Sequence, residues 1–281
     1  MRVVAGANPA AKARDQIASS ARCRDAAEVG AHADHNQPLP AFDPITVASR
    51  IDPCSLVVLL GGDPHNASAQ VGLGAFHANM GAQLLDGDSR GHLKKALEIL
   101  QDVLRRHPTH SGAYHYLGMA HRTDADLQNS LEAFERAVEL NPSAAGSHAH
   151  FGNTLAHMGR AAGRPGAHSL CQRLSPRDPS RSYWFQFECN ALMELGRYQE
   201  AIDSCRHSTA LNPGYLRGWA GLAAVYALAG KMGEARAHLD KLKTLQPNLT
   251  DEGLITRFGR HKAYPARIRD GLRLAMNLPP A

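Results

Sequence analysis

Five short segments of this chain end alike: RRHP, ELNP, RLSP, ALNP and TLQP. Their prolines, Pro108, Pro142, Pro176, Pro213 and Pro247, stand 34, 34, 37 and 34 residues apart. A unit of this size is one supersecondary element that cannot bury its apolar face alone. Copies stacked along the chain share a continuous core, so each unit depends on its neighbours.

Within the units, apolar residues recur at helical spacing. In the last one Trp219, Leu222 and Tyr226 fall at i, i+3 and i+7, Gly230 breaks the pattern, and Ala235, Leu239 and Leu242 form a second apolar face. The second unit repeats this with Tyr114, Leu117, Gly118, His121, Phe134 and Ala137. The fourth does so with Phe185, Leu192, Gly196, Tyr198, Ala201 and Leu211. Each unit therefore reads as two antiparallel helices, with small residues such as Gly118 and Ala201 where the helices approach closely.

On these residues the chain resembles the tetratricopeptide-repeat family, with repeats at about 75–110, 111–144, 145–178, 182–215 and 216–250. The resemblance implies an all-α fold, a TPR α-solenoid: a right-handed superhelix of about ten helices and a cap. Two units depart from the pattern. The first carries three extra residues, placed in a lengthened turn near 86–91. In the third, Gly163, Pro165 and Gly166 interrupt the second helix, since proline lacks the amide donor and glycine is entropically costly, so a shortened helix is expected from about Pro165.

Residues 1–52 lack sustained periodicity and are expected to be disordered. Residues 53–74 hold a short apolar strand-like run (CSLVVLLGG, 54–62) and a linker. Residues 251–281 are expected to form a capping helix that starts at Pro265 and carries Ile268, Leu272 and Ala275 on one face.

No apolar run approaches the roughly 20 residues that span a bilayer, and residues 1–22 have no continuous apolar stretch of a signal peptide. A cytoplasmic protein without membrane contact is expected. Five cysteines with no C-x-x-C pair argue against a disulfide framework or a zinc site, and read as free thiols in a reducing compartment. The net charge of +5 is a mild excess and does not by itself call for nucleic acid.

Chemical motifs fare poorly. VGLGAFHANMG offers Gly72 and Gly74, but His77 occupies the third glycine position of a dinucleotide fingerprint, so the segment reads as a turn or helix start. Of His148, His150 and His157 only the last two share a helix face, without an acidic ligand nearby. Asp124, Asp126 and Glu132 read as solvated charges, with no pair placed for acid–base work. The basic group Arg257, Arg260, Lys262, Arg267, Arg269 and Arg273 reads as the solvated side of the cap. No catalytic residue, metal or cofactor is expected, and an enzyme would need activity from residues that read as structural.

In tetratricopeptide folds the first helix of each pair lines a groove. The resemblance places His115, Met119, Arg122, Asn153, His157, Gln186, Asn190 and Arg217 there as an outward ladder for an extended peptide. Asn153 and Asn190 fall at equivalent places, where an amide can both donate to and accept from a peptide backbone. His115 and Ala220 stand where a clamp for chaperone C-termini would need cationic groups, so that ligand is not expected.

The segments RLSPRDPSRSYW, ELGRYQEAIDSCRHSTALNPGY, AAVYALAGKMGEAR and RIRDGLRLAMNLPP, with SLVVLLGGDP before the repeats, also resemble the C-terminal repeat region of alphaproteobacterial class III adenylate cyclases and related regulators. That implies a regulatory role without cyclase activity, because no paired metal-binding aspartates precede the repeats. The expected function is a protein- or peptide-binding scaffold in bacterial signalling, or a regulatory portion of a cyclase-type or transcriptional-regulator system. The partner and the oligomeric state are not legible.

Overall fold

The computed structural model describes residue 63 and residues 65–83, 88–161, 167–247, 250–258 and 266–279. The N-terminal segment 1–52 and the apolar run 54–62 lie outside them. Among the described residues every regular element is helical apart from a single 3₁₀ position at residue 161.

The described residues up to 124, with 139–141, form one compact unit. In it α1 (Ala67–Gln83), α2 (Ser89–Arg106) and α3 (Ser111–Thr123) pack against one another. Val71, Ala75 and Ala78 of α1 meet Leu93, Ala96, Leu100 and Val103 of α2 and Ala113, Tyr116 and Ala120 of α3 in one apolar cluster. Asp88 starts α2 by accepting from the Gly91 amide at 3.0 Å, an N-cap that satisfies one of the helix's free donors.

Two sequence expectations are corrected here. The first helix begins at Ala67, inside the stretch read as linker, and Gly72 and Gly74 lie within it rather than in a turn. The glycine at 74 serves close packing, because a Cβ there would stand 2.7 Å from the Leu100 side chain. Residues 89–91, at the end of the stretch read as a lengthened turn, are the first turn of α2, and 84–87 lie outside the described residues.

Residues 125–138 and 142–281 form the second unit. It holds α4 (Leu127–Leu140) as far as Val138, α5 (Ala145–His157), α6 (Ala167–Leu174), α7 (Arg181–Glu194), α8 (Tyr198–Leu211), α9 (Leu216–Leu228), α10 (Met232–Leu245), α11 (Asp251–Phe258) and α12 (Ala266–Ala275). Helices α5 and α6, α7 and α8, and α9 and α10 pair with one another, and the first helices α5, α7 and α9 pack side by side. The second helix of the third pair is short, eight residues against 14 in α8 and α10, with Pro165 and Gly166 just ahead of it.

The period has a physical basis in the turns. Trp219 donates from Nε1 to the Pro213 carbonyl at 2.8 Å, and His148 at the same place in the third unit donates from Nε2 to the Pro142 carbonyl at 2.8 Å. The first helices α5 and α9 are thereby tied to the prolines that ended the units before them. At the other end of α5, α7 and α9, Gly159, Gly196 and Gly230 take φ of +69°, +70° and +75°, and after Gly230 the Lys231 amide reaches back to the Tyr226 carbonyl at 2.9 Å. This left-handed cap turns the chain into the second helix.

The cysteine reading is also corrected. Cys189 of α7 and Cys205 of α8 form a disulfide, with Cα atoms 5.4 Å apart, while Cys171 is buried outside it. The spacing of 16 that joins them is the spacing across a helix pair, so no C-x-x-C motif announces it.

The last helix differs from an ordinary end cap. Ile268, Gly271, Leu272 and Ala275 of α12 are buried, on the face expected from sequence. Yet α12 packs chiefly on α9, the first helix of the fifth pair, and touches α7, α10 and α11 to a smaller and similar extent. It covers a first helix where the sequence reading has it covering the array's last apolar face.

A candidate binding face on the first helices

In the first unit, Met119 and Arg122 of α3 are half-buried and His115 is fully buried. The His115 ring meets Tyr116 edge to face at 5.0 Å. Burial, with a smaller contribution from the Arg122 charge, pushes its pKa down to about 3, so the imidazole is neutral in the folded protein near neutral pH. It is not available as a cation for an acidic ligand.

In the second unit the outward ladder is not what the structure shows. Asn153, Gln186 and Asn190 are only 3%, 2% and 5% exposed, while His157 and Arg217 are half-buried. The reason is the side-by-side packing of first helices. Gln186 reaches across to α9, where a Cβ on Gly221 would stand 2.5 Å from its Nε2, so the glycine makes room for the amide. Nε2 of Gln186 donates to Oδ1 of Asn190 at 2.9 Å, one turn further along α7.

Asn153 lacks such an arrangement. Its Oδ1 is buried and meets no donor among the described residues. A buried acceptor left unpaired costs on the order of 1–3 kcal/mol, a penalty that an incoming donor would relieve.

Sequence reasoning missed the residue that completes the stripe. Gln186, Asn190 and Glu194 succeed one another at i+4 along α7, and Oε1 of Glu194 accepts the Arg267 backbone N–H in the first turn of α12 at 3.2 Å. Burial raises the Glu194 pKa, opposed by that hydrogen bond and the Arg267 charge. The i+4 spacing was visible in the sequence; the approach of α12 across 73 residues was not.

Other polar groups lie off this face. Glu188 accepts from Ser204 Oγ at 3.0 Å and from Gln172 Nε2 at 3.5 Å, linking α7 to α8 and α6, and burial raises its pKa. In the first unit His77 and His92 face each other through Nδ1 atoms 2.7 Å apart, one donating to the other, a pairing the sequence did not signal. His150 stacks on Phe134 and meets Phe187 edge-on. Among the described residues no three His, Cys, Asp or Glu side chains converge as a metal site, and no helix is long and apolar enough to cross a membrane.

Helix pairs of a 34-residue period, three of them turned by left-handed glycines and two tied by a ring nitrogen to the preceding proline, define a helical-repeat protein. Tetratricopeptide-repeat family models match residues 88–145 and 192–251, so the chain carries tetratricopeptide repeats over those residues. Among solved structures it is similar to PilW, a type IV pilus biogenesis factor (TM-score 0.55, 17% identity, covering 72% of this chain and 92% of that one). It is likewise similar to a thermophilic TPR protein of Thermus thermophilus (TM-score 0.52, 19% identity, 66% and 96% covered). Both likenesses concern the fold. Superkiller protein 3 of Schizosaccharomyces pombe is 23% identical over 172 residues, which are 60% of this chain and 12% of that protein. The chain thus spans a small part of this relative.

Proposed function

We propose that the chain is a non-catalytic scaffold that binds a protein or peptide along the face of its first helices, in bacterial signalling or regulation. The observation that carries the reading is Asn153, whose buried Oδ1 has no donor among the described residues, at a register place shared with Asn190 on the next first helix. On the first helices of the second unit, half-buried His157 and Arg217 offer further polar groups.

The test is capture from a bacterial lysate, compared between wild type and a folded Asn153→Ala/Asn190→Ala variant. A partner kept by the first and lost by the second supports the face. Identical partners on both would rule the face out.

A second reading, the regulatory portion of an adenylate-cyclase-type or transcriptional-regulator system, is favoured by the segments RLSPRDPSRSYW and RIRDGLRLAMNLPP. It is checked by whether a cyclase catalytic or DNA-binding domain is encoded alongside. A cytoplasmic location belongs to both readings, and the Cys189–Cys205 crosslink is the observation that counts against it, since reducing compartments keep thiols reduced. Recovery of the pair as thiols from rapidly alkylated cells would support the cytoplasm; recovery of the disulfide would reject it.

A further inference from the structure

We propose that α12 is a ligand of the first-helix face carried in cis, and that this face takes an amphipathic helix whose partner form binds by displacing α12. The proposal rests on the reading of that face as a binding surface and names the kind of partner it fits.

Register places α12 on the face. Asn153, Asn190 and Ala224 occupy one place in the third, fourth and fifth units, and it is Ala224 that α12 crosses: a Cβ on Gly271 would stand 2.7 Å from the Ala224 Cα. The N-terminal end of α12 is fixed to the same stripe. Glu194, one turn beyond Asn190, accepts the Arg267 amide in the helix's first turn, where a carboxylate both satisfies a free donor and meets the positive end of the helix dipole.

Helix α12 has ten residues and buries Ile268, Gly271, Leu272 and Ala275, of which two are large. Beneath it, Ala220 and Ala227 share by helical spacing the face of Ala224. Every residue from 220 to 227 is buried, so α9 is covered all round, and α12 shares one apolar cluster with Leu222, Leu239 and Leu254.

The ligand is therefore defined by chemistry. It is a short helix with free N-terminal amides for Glu194, a glycine four residues after the docked amide, and large apolar residues beside that glycine. A partner helix extending along the face to α5 would also be in a position to donate to Asn153 Oδ1.

Two measurements on the full chain test this. The first is amide hydrogen exchange of the wild type: residues 266–275 should exchange at least tenfold faster than residues 220–227, and equal protection would show that α12 is a permanent part of the core. The second uses a fluorescein-labelled synthetic peptide of residues 264–279 as the probe, titrated against wild type and a Gly271→Leu chain. The variant, its own α12 pushed off Ala224, should bind the peptide saturably and at least tenfold more tightly than wild type, and a peptide with the same substitution should bind neither. A folded variant that binds no better than wild type would overturn the proposal. If the variant does not fold, the exchange result decides. Because the probe is the chain's own helix, failure here leaves the Asn153/Asn190 capture comparison to judge the face independently.

Discussion

Cys189 and Cys205 face each other across the α7–α8 pair with Cα atoms 5.4 Å apart, at the two positions where the fifth unit places buried Ala223 and Leu239. The usual small-against-large contact at a helix crossing is here replaced by a covalent one. Closing a loop with a sequence separation of 16 restricts the unfolded chain by about 3 kcal/mol in the loop-entropy treatment. Reduction should therefore lower the stability of the second unit by about that amount. Urea unfolding with and without a phosphine reductant measures it, with Cys189→Ala/Cys205→Ala as the control on which reductant has no effect. An unchanged wild-type midpoint would contradict the crosslink.

Cys171 should be inert beside this pair. It is buried, and burial, helped by the Glu188 charge, pushes its pKa up to about 12, which leaves almost no thiolate near neutral pH. Native alkylation followed by peptide mapping should find it unmodified, with labelling appearing only in denaturant.

Ala125 takes φ +64° at the place where the three following units have Gly159, Gly196 and Gly230. The left-handed region costs an alanine roughly 1–2 kcal/mol, partly offset by the greater freedom glycine gains on unfolding. Ala125→Gly should raise stability by about 1 kcal/mol, read as a higher urea midpoint. A lower midpoint would show that the turn is not strained.

How much of this was legible follows from the range of the interactions. The helix pairs, their closing glycines and the buried side of α12 are set by spacing within about 34 residues, and the sequence carries that spacing plainly. The mistakes arose where distant residues meet. Gln186 and Asn190 read as outward because their own helix gives no sign that Gly221 will let α9 approach; Glu194 has no local feature that predicts Arg267. Gly72 and Gly74 read as a turn or a helix start because the room that Gly74 makes is for Leu100, on another helix. The disulfide could have been found by asking which cysteines are separated by the spacing from first to second helix, as Ala223 and Leu239 are.

Glu188 and His115 should tilt stability in opposite directions with pH. The Glu188 carboxyl is raised above its ordinary value of 4.5, so between that value and its folded pKa the native chain holds more protons than the unfolded one. Its contribution is present at low pH and is lost as pH rises through the raised pKa. Glu188→Gln keeps an acceptor for Ser204 and removes the charge, so the variant should be more stable than wild type at neutral pH, with the difference closing in acid.

His115 behaves in the reverse sense. Its pKa falls from 6.5 to about 3 on folding, so the neutral ring contributes stability that is fully present above 6.5 and is lost progressively as pH falls toward 3. Replacing it by methionine, which fills a similar space without a basic nitrogen, should flatten the acid limb of the stability curve across that window. The direct check is the titration of the His115 ring by NMR. A midpoint near 6.5 would mean that the side chain is solvated, and would return His115 to the outward ladder that the sequence suggested.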